Sequence, residues 1–99
     1  MRTHAALMAA VRAEADQLGL AAQHFPNVTG AWSAGWPDLV IAGPGGIIWR
    51  EVKTTRGRLA SRQWAWGFLL MAAGADWGVW TPADWPENIK EQLTRLAKV

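Results

Sequence analysis

The chain has 99 residues, no cysteine, 51% hydrophobic residues and 10 Lys+Arg against 8 Asp+Glu. That length supports one small domain with one core and excludes a two-domain protein; the lack of cysteine excludes disulfide scaffolds, thiolate metal sites, iron–sulfur clusters and cysteine nucleophiles, and permits a reducing compartment. A net charge of +2 does not by itself point to nucleic acid, but five of the ten basic residues (Arg50, Lys53, Arg56, Arg58, Arg62) fall within thirteen positions.

Thr3 to Leu18 places Leu7, Met8, Val11, Ala15 and Leu18 at helical spacing, and Gly19 supplies the stop. Glu14 sits at the edge of that apolar stripe, so one carboxylate of this helix is expected to face inward. Arg12, Glu14 and Asp16 break the apolar run that a secretory signal needs, which predicts a cytoplasmic protein. Leu20 to Phe25 allows a short strand, and Pro26 to Trp36 reads as a loop. Pro37 to Ala42 and Ile47 to Lys53 are two strands joined by Gly43-Pro44-Gly45-Gly46, a hairpin turn. Gly57 breaks a basic loop, after which Ser61 is expected to cap a second helix with Trp64, Phe68 and Met71 on one face and Gly74 at its end. Its apolar stretch, Trp64 to Gly74, is about half the ~20 residues of a membrane span, and no transmembrane helix is expected. Asp76 to Thr81 reads as a last strand, followed by a turn at Pro82 and Pro86. A final helix has Ile89, Leu93 and Leu96 inward and Lys90, Glu91, Arg95 and Lys98 outward. This order predicts an α/β fold, a small mixed sheet with helices packed on it, spanning residues 1–99 as a single domain.

The chemistry concentrates on the hairpin. Glu51 and Lys53 are two apart and project from one face of their strand, while Val52 points into the core. The tight turn brings strand neighbours within ~5 Å, so Asp38 approaches Glu51. Two carboxylates this close repel unless a cation lies between them, and a hard divalent ion with oxygen ligands, magnesium or manganese, is the natural neutraliser. Zinc, lacking His and Cys here, does not fit. A lysine beside a metal-bound water can activate it and stabilise the extra charge of a pentacovalent phosphate. Glu14 could add a third carboxylate, and Gln63 could orient the water.

Pro37-Asp38 followed by Glu51-Val52-Lys53 is similar to the motif of the PD-(D/E)xK nucleases, whose core is helix, three strands, helix, strand. More narrowly, Gly35-Trp36-Pro37-Asp38-Leu39-Val40, then Glu51-Val52-Lys53, Gly57, Leu59, Ser61, Gln63 and Trp66, resembles the VRR-Nuc family, from about the first helix to Thr81. The resemblance implies a restriction-endonuclease-like core and a metal held by Asp38, Glu51 and the carbonyl of Val52. It makes Lys53 the catalytic lysine, Gln63 the motif glutamine and Glu14 the acid of the first helix. Many VRR-Nuc domains end larger repair nucleases that carry DNA-binding modules, and no segment of these 99 residues reads as one. The likeness is therefore to the minimal members of phages and bacteria, which act as homodimers on branched DNA, and it places the protein in a bacterial cell or a phage-infected host.

The leading expectation is a magnesium- or manganese-dependent endodeoxyribonuclease selective for branched DNA, such as a Holliday junction. Arg50, Arg56, Arg58 and Arg62 would contact phosphates, and Trp32 and Trp36, in the loop before Asp38, would stack on unpaired bases or seal a dimer. Two cuts across a symmetric junction call for two sites and hence a homodimer. The alternative is a catalytically silent module that binds structured DNA and recruits a partner; the complete set of motif groups counts against it. A restriction-type nuclease would need a sequence-reading element, and no spare segment could enter a groove. Trp49, Trp64, Trp77 and Trp80 are expected in the core. His4 and His24 are too far apart to make a metal pair, and each reads as structural or exposed.

Overall fold

The computed structural model describes residues 3–25, 34–54 and 58–99. Along them run α1 (His4–Gln17), β1 (Ala21–His24), β2 (Leu39–Gly43), β3 (Gly46–Val52), α2 (Ser61–Ala72), β4 (Asp76–Trp80), one 3-10 turn (Pro82–Asp84) and α3 (Glu87–Ala97). Types and order are those expected from the sequence. The Thr3 hydroxyl accepts from the amide of Ala6 at 3.0 Å and opens α1. Gly74, with φ of +87°, lets the chain leave α2 in a conformation that a side chain disfavours. The expected cap of α2 is corrected: Ser61 is already helical, Ala60 is the N-cap, and its amide donates to Gln63 Oε1 at 2.8 Å.

The sheet has four strands in the order β1-β2-β3-β4. The β1/β2 and β2/β3 pairs are antiparallel, and β3/β4 is parallel because α2 forms the crossover between them. Gly43 faces Gly46 across the two-residue Pro44-Gly45 turn, which fixes the register as Leu39 opposite Arg50. One more step sets Asp38 opposite Glu51.

Strand alternation divides β3 between the two faces of the sheet. Ile48 and Val52 join Leu39, Ile41 and Trp80 in the core, beneath Leu7, Met8, Val11 and Ala15 of α1 and Ile89, Leu93 and Leu96 of α3. Burying each large aliphatic chain contributes about 1.5–3 kcal/mol. Trp49 and Glu51 project to the opposite face, where α2 lies. There Gly67 meets the indole of Trp77 so closely that an added Cβ would come within 2.5 Å of the ring. Gly67→Ala is expected to destabilise the fold by about 1–3 kcal/mol, read as a lower midpoint in urea unfolding.

The expectation that Trp64 is a core residue is corrected. Trp80 is buried and Trp49 and Trp77 are partly covered, but Trp64, Phe68, Leu69 and Met71 are exposed. Helix α2 is apolar on more sides than the sheet can cover. Among the described residues no helix is long and apolar enough to cross a membrane.

Candidate active site

Asp38 enters the site at the head of β2. Its carbonyl accepts from the amide of Phe25 at 2.7 Å, which ties it to the end of β1. Its carboxylate oxygen Oδ2 accepts from the amide of Val52 at 3.0 Å and lies 3.2 Å from His4 Nε2. The Val52 amide and His4 together hold one oxygen of Asp38 beside β3.

Glu51 is 1% exposed. Oε1 accepts from Gln63 Nε2 at 3.1 Å, whereas Oε2 is buried with no hydrogen-bond partner among the described residues. Burial is the main force on this group and the neighbouring Asp38 carboxylate the second; the Lys53 ammonium and the Gln63 amide oppose them and lose, so Glu51 is pushed up to about 8. Burial and Asp38 therefore favour the neutral carboxyl, and a cation at this oxygen would favour the ionised form instead. Lys53 follows on the same side of the strand, half-buried, with its amide donating to Trp80 O at 2.9 Å.

Gln63 links this pair to α2. Its Oε1 receives the Ala60 amide and its Nε2 reaches Glu51, so one side chain closes the helix start and orients the carboxylate. Gly35 sets the spacing. With φ of +85° and room for no side chain beside the Arg62 carbonyl and the Gln63 amide, it lets the segment before Asp38 lie directly on the start of α2.

The structure thus gathers Asp38, Glu51, Lys53, Gln63 and the Val52 backbone, and separates other residues expected to join them. Glu14 is corrected: its Oε1 lies 3.8 Å from Lys90 Nζ on α3. It stands ten residues from His4 along α1, about 15 Å of helix rise. The helix contributes His4 to the site instead, through its first turn. No sequence signal marks this histidine, because helical periodicity reports which face is inward and not which turn reaches a given strand end.

Arg50 is also corrected. It alternates with Glu51 and so lies on the core face, buried against α3. Its Nε and Nη2 donate to Gln92 Oε1 at 3.2 and 2.8 Å, and Nη1 donates to the carbonyls of Trp49 and Asp76 at 3.0 and 2.7 Å. Nη2 also lies 3.0 Å from Asp76 Oδ1, and the guanidinium sits 5.4 Å from the centre of the Trp80 ring. Burial lowers its pKa, opposed by Asp76. A group so fully engaged is structural. Arg50→Met is expected to cost about 2–4 kcal/mol of stability, as measured by urea unfolding.

Arg58 and Arg62 are exposed near the start of α2. Trp32, Arg56 and Gly57 lie outside the described residues. Trp36 is half-buried, edge-on to Phe25 at 5.9 Å and to Trp66 at 4.9 Å, so it takes part in an aromatic cluster beside Asp38. Among the described residues no three His, Cys, Asp or Glu side chains form a ready-made metal cage. An ion here would rest on two carboxylates, a backbone carbonyl and water, a donor set that suits magnesium or manganese. Comparison with family models, with curated proteins and with solved structures finds no match to the chain.

Proposed function

We propose that the protein is a divalent-metal-dependent endonuclease that hydrolyses phosphodiester bonds in DNA, with branched DNA as the favoured substrate. The observation that carries this reading is the buried Glu51 Oε2 beside Asp38, without a hydrogen-bond partner among the described residues, with Lys53 on the same side of the strand. The arrangement of α1, three antiparallel strands, α2 and a parallel fourth strand supports it, being the order expected of a restriction-endonuclease-like core.

Asp38, Glu51 and the Val52 carbonyl would hold the magnesium or manganese ion, whose chemistry is to acidify a bound water and to draw charge from the phosphate oxygens. His4 and the Val52 amide hold Asp38, and Gln63 holds Glu51, so both carboxylates are oriented before substrate arrives. Lys53 steadies the attacking hydroxide or the negative charge that builds on the phosphate as the water oxygen bonds to phosphorus and the ester bond breaks. Arg58 and Arg62, beside Gln63, contact the flanking phosphates.

The test is a gel assay of wild type and Lys53→Ala on a labelled four-way junction, with linear duplex and flap controls, in Mg²⁺, Mn²⁺ and EDTA. Paired cuts on the junction that vanish in EDTA and in the variant are expected. Junction binding without cutting, indifferent to Lys53→Ala, would replace the nuclease with a module that binds structured DNA and recruits a partner.

A further inference from the structure

The outer face of α2 is an apolar surface that no helix or strand among the described residues covers. Trp64, Phe68, Leu69 and Met71 are 44%, 59%, 61% and 44% exposed, and no charged residue occurs from Gln63 to Ala75. Trp64 and Phe68 stack at 5.5 Å with their planes 22° apart, forming one wall of a groove that Ser61 and Ala65 complete. At about 100° per residue, the exposed apolar positions cover an arc of roughly 160°. Down its middle run Ser61, Ala65, Phe68 and Ala72, spaced four, three and four, which is the spacing of a helix-packing seam.

We propose that this face is the interface of a two-fold homodimer in which α2 packs antiparallel on α2 of a second copy. The seam is self-complementary in one register: Ala65 opposite Phe68 and Ser61 opposite Ala72, so that the one large seam residue enters the groove over a small one. The same two-fold operation sets each flank against itself, so that Trp64 comes within a turn of Met71 of the second copy. An uncharged face meets its own copy without like-charge repulsion and offers nothing to a strongly charged partner. The four large side chains leave on the order of 400 Å² exposed per copy, given the ~150–250 Å² of an aromatic chain. The pair would bury about 800 Å², and the alanines of the arc bring it to the ~1,000 Å² of a stable contact. Gln63 leaves α2 on the side away from the seam, toward Glu51, so the dimer keeps both carboxylate sites open. The interface stands independently of the nuclease reading.

Sedimentation equilibrium tests it first. Wild type is expected at twice the 10.8 kDa of the chain. Phe68→Glu, a change at an exposed position, should leave the circular dichroism spectrum intact and weaken the dimer by ~30-fold or more. The chain has no cysteine, so Ser61→Cys combined with Ala72→Cys gives an independent readout. Oxidation should yield a covalent dimer, while each single variant stays uncrosslinked, because the two positions of one helix are about 16 Å apart. A wild type that stays monomeric to ~100 µM overturns the proposal and assigns the face to a different protein; a dimer indifferent to Phe68→Glu, or no crosslink in the double variant, also overturns it. Metal binding at Asp38 and Glu51 is expected to survive Phe68→Glu, which separates failure of this interface from failure of the active site.

Discussion

On the proposed nuclease reading, replacing Asp38 by Asn, or Lys53 by Ala, is expected to lower metal-dependent cleavage by about a thousandfold or more while the fold persists. A carboxylate ligand and a cation placed where charge develops each supply roughly 4 kcal/mol of transition-state stabilisation, and about 1.4 kcal/mol is tenfold in rate. The two variants fail differently. Asparagine keeps an oxygen for the Val52 amide but loses the charge that attracts the ion, so raising Mg²⁺ recovers part of the rate. Lys53 takes no part in the core cluster, and its loss leaves a deficit that added metal does not recover. Single-turnover rates across a Mg²⁺ titration check both. A Lys53→Ala enzyme within tenfold of wild type would remove lysine from the mechanism.

The metal-free protein is expected to lose stability as pH rises from about 5 to 8. Glu51 moves from its ordinary 4.5 up to about 8 in the folded chain, chiefly through burial and then through Asp38. Between those values the unfolded chain has released the proton and the folded chain still holds it, so stability falls with rising pH. The contribution is full below about 4.5 and gone above about 8. Each tenfold gain in proton affinity is worth about 1.4 kcal/mol, which makes the contribution on the order of 3–5 kcal/mol, a large share of what a domain this small possesses. A divalent ion favours the ionised form and reverses the trend, so the stabilisation by Mn²⁺ grows from pH 5 to pH 8. Glu51→Gln carries no proton to lose, and its stability is expected to be flatter in pH and indifferent to Mn²⁺. Urea unfolding of both proteins at pH 5, 6.5 and 8, with and without Mn²⁺, isolates the effect of Glu51 as the difference between them. Parallel pH profiles would mean that Glu51 is ionised in the metal-free fold.

The hairpin explains why so much of the site is legible in the sequence. A two-residue turn at Pro44-Gly45 fixes the register, and counting outward from Gly43 and Gly46 brings Asp38 opposite Glu51. Period-two alternation then puts Lys53 with Glu51 and Val52 with the core. The same alternation places Arg50 on the core face, but its position in a run of basic residues suggests phosphate contact. Clustering along the chain carries no information about the face of a strand. Helix α1 is the converse case. Its stripe identifies Leu7, Met8, Val11 and Ala15 correctly as core, yet stripe-edge Glu14 goes to Lys90 and His4 to Asp38, because the axial position of a helix over a sheet is set by tertiary packing. Trp64 and Phe68 show a third limit. Apolar side chains at helical spacing mark a face without saying whether the sheet covers it.

The most direct test of the metal centre is a Mn²⁺ titration of the DNA-free protein by calorimetry at pH 7 in buffers of different ionisation enthalpy. With Glu51 pushed up to about 8, the ion must displace its proton. One ion per chain is expected, with release of nearly one proton, and both signals should be lost in Glu51→Gln. Mn²⁺ binding that is absent from the wild type, or that persists unchanged in both Asp38→Asn and Glu51→Gln, would contradict a metal centre built on these two carboxylates.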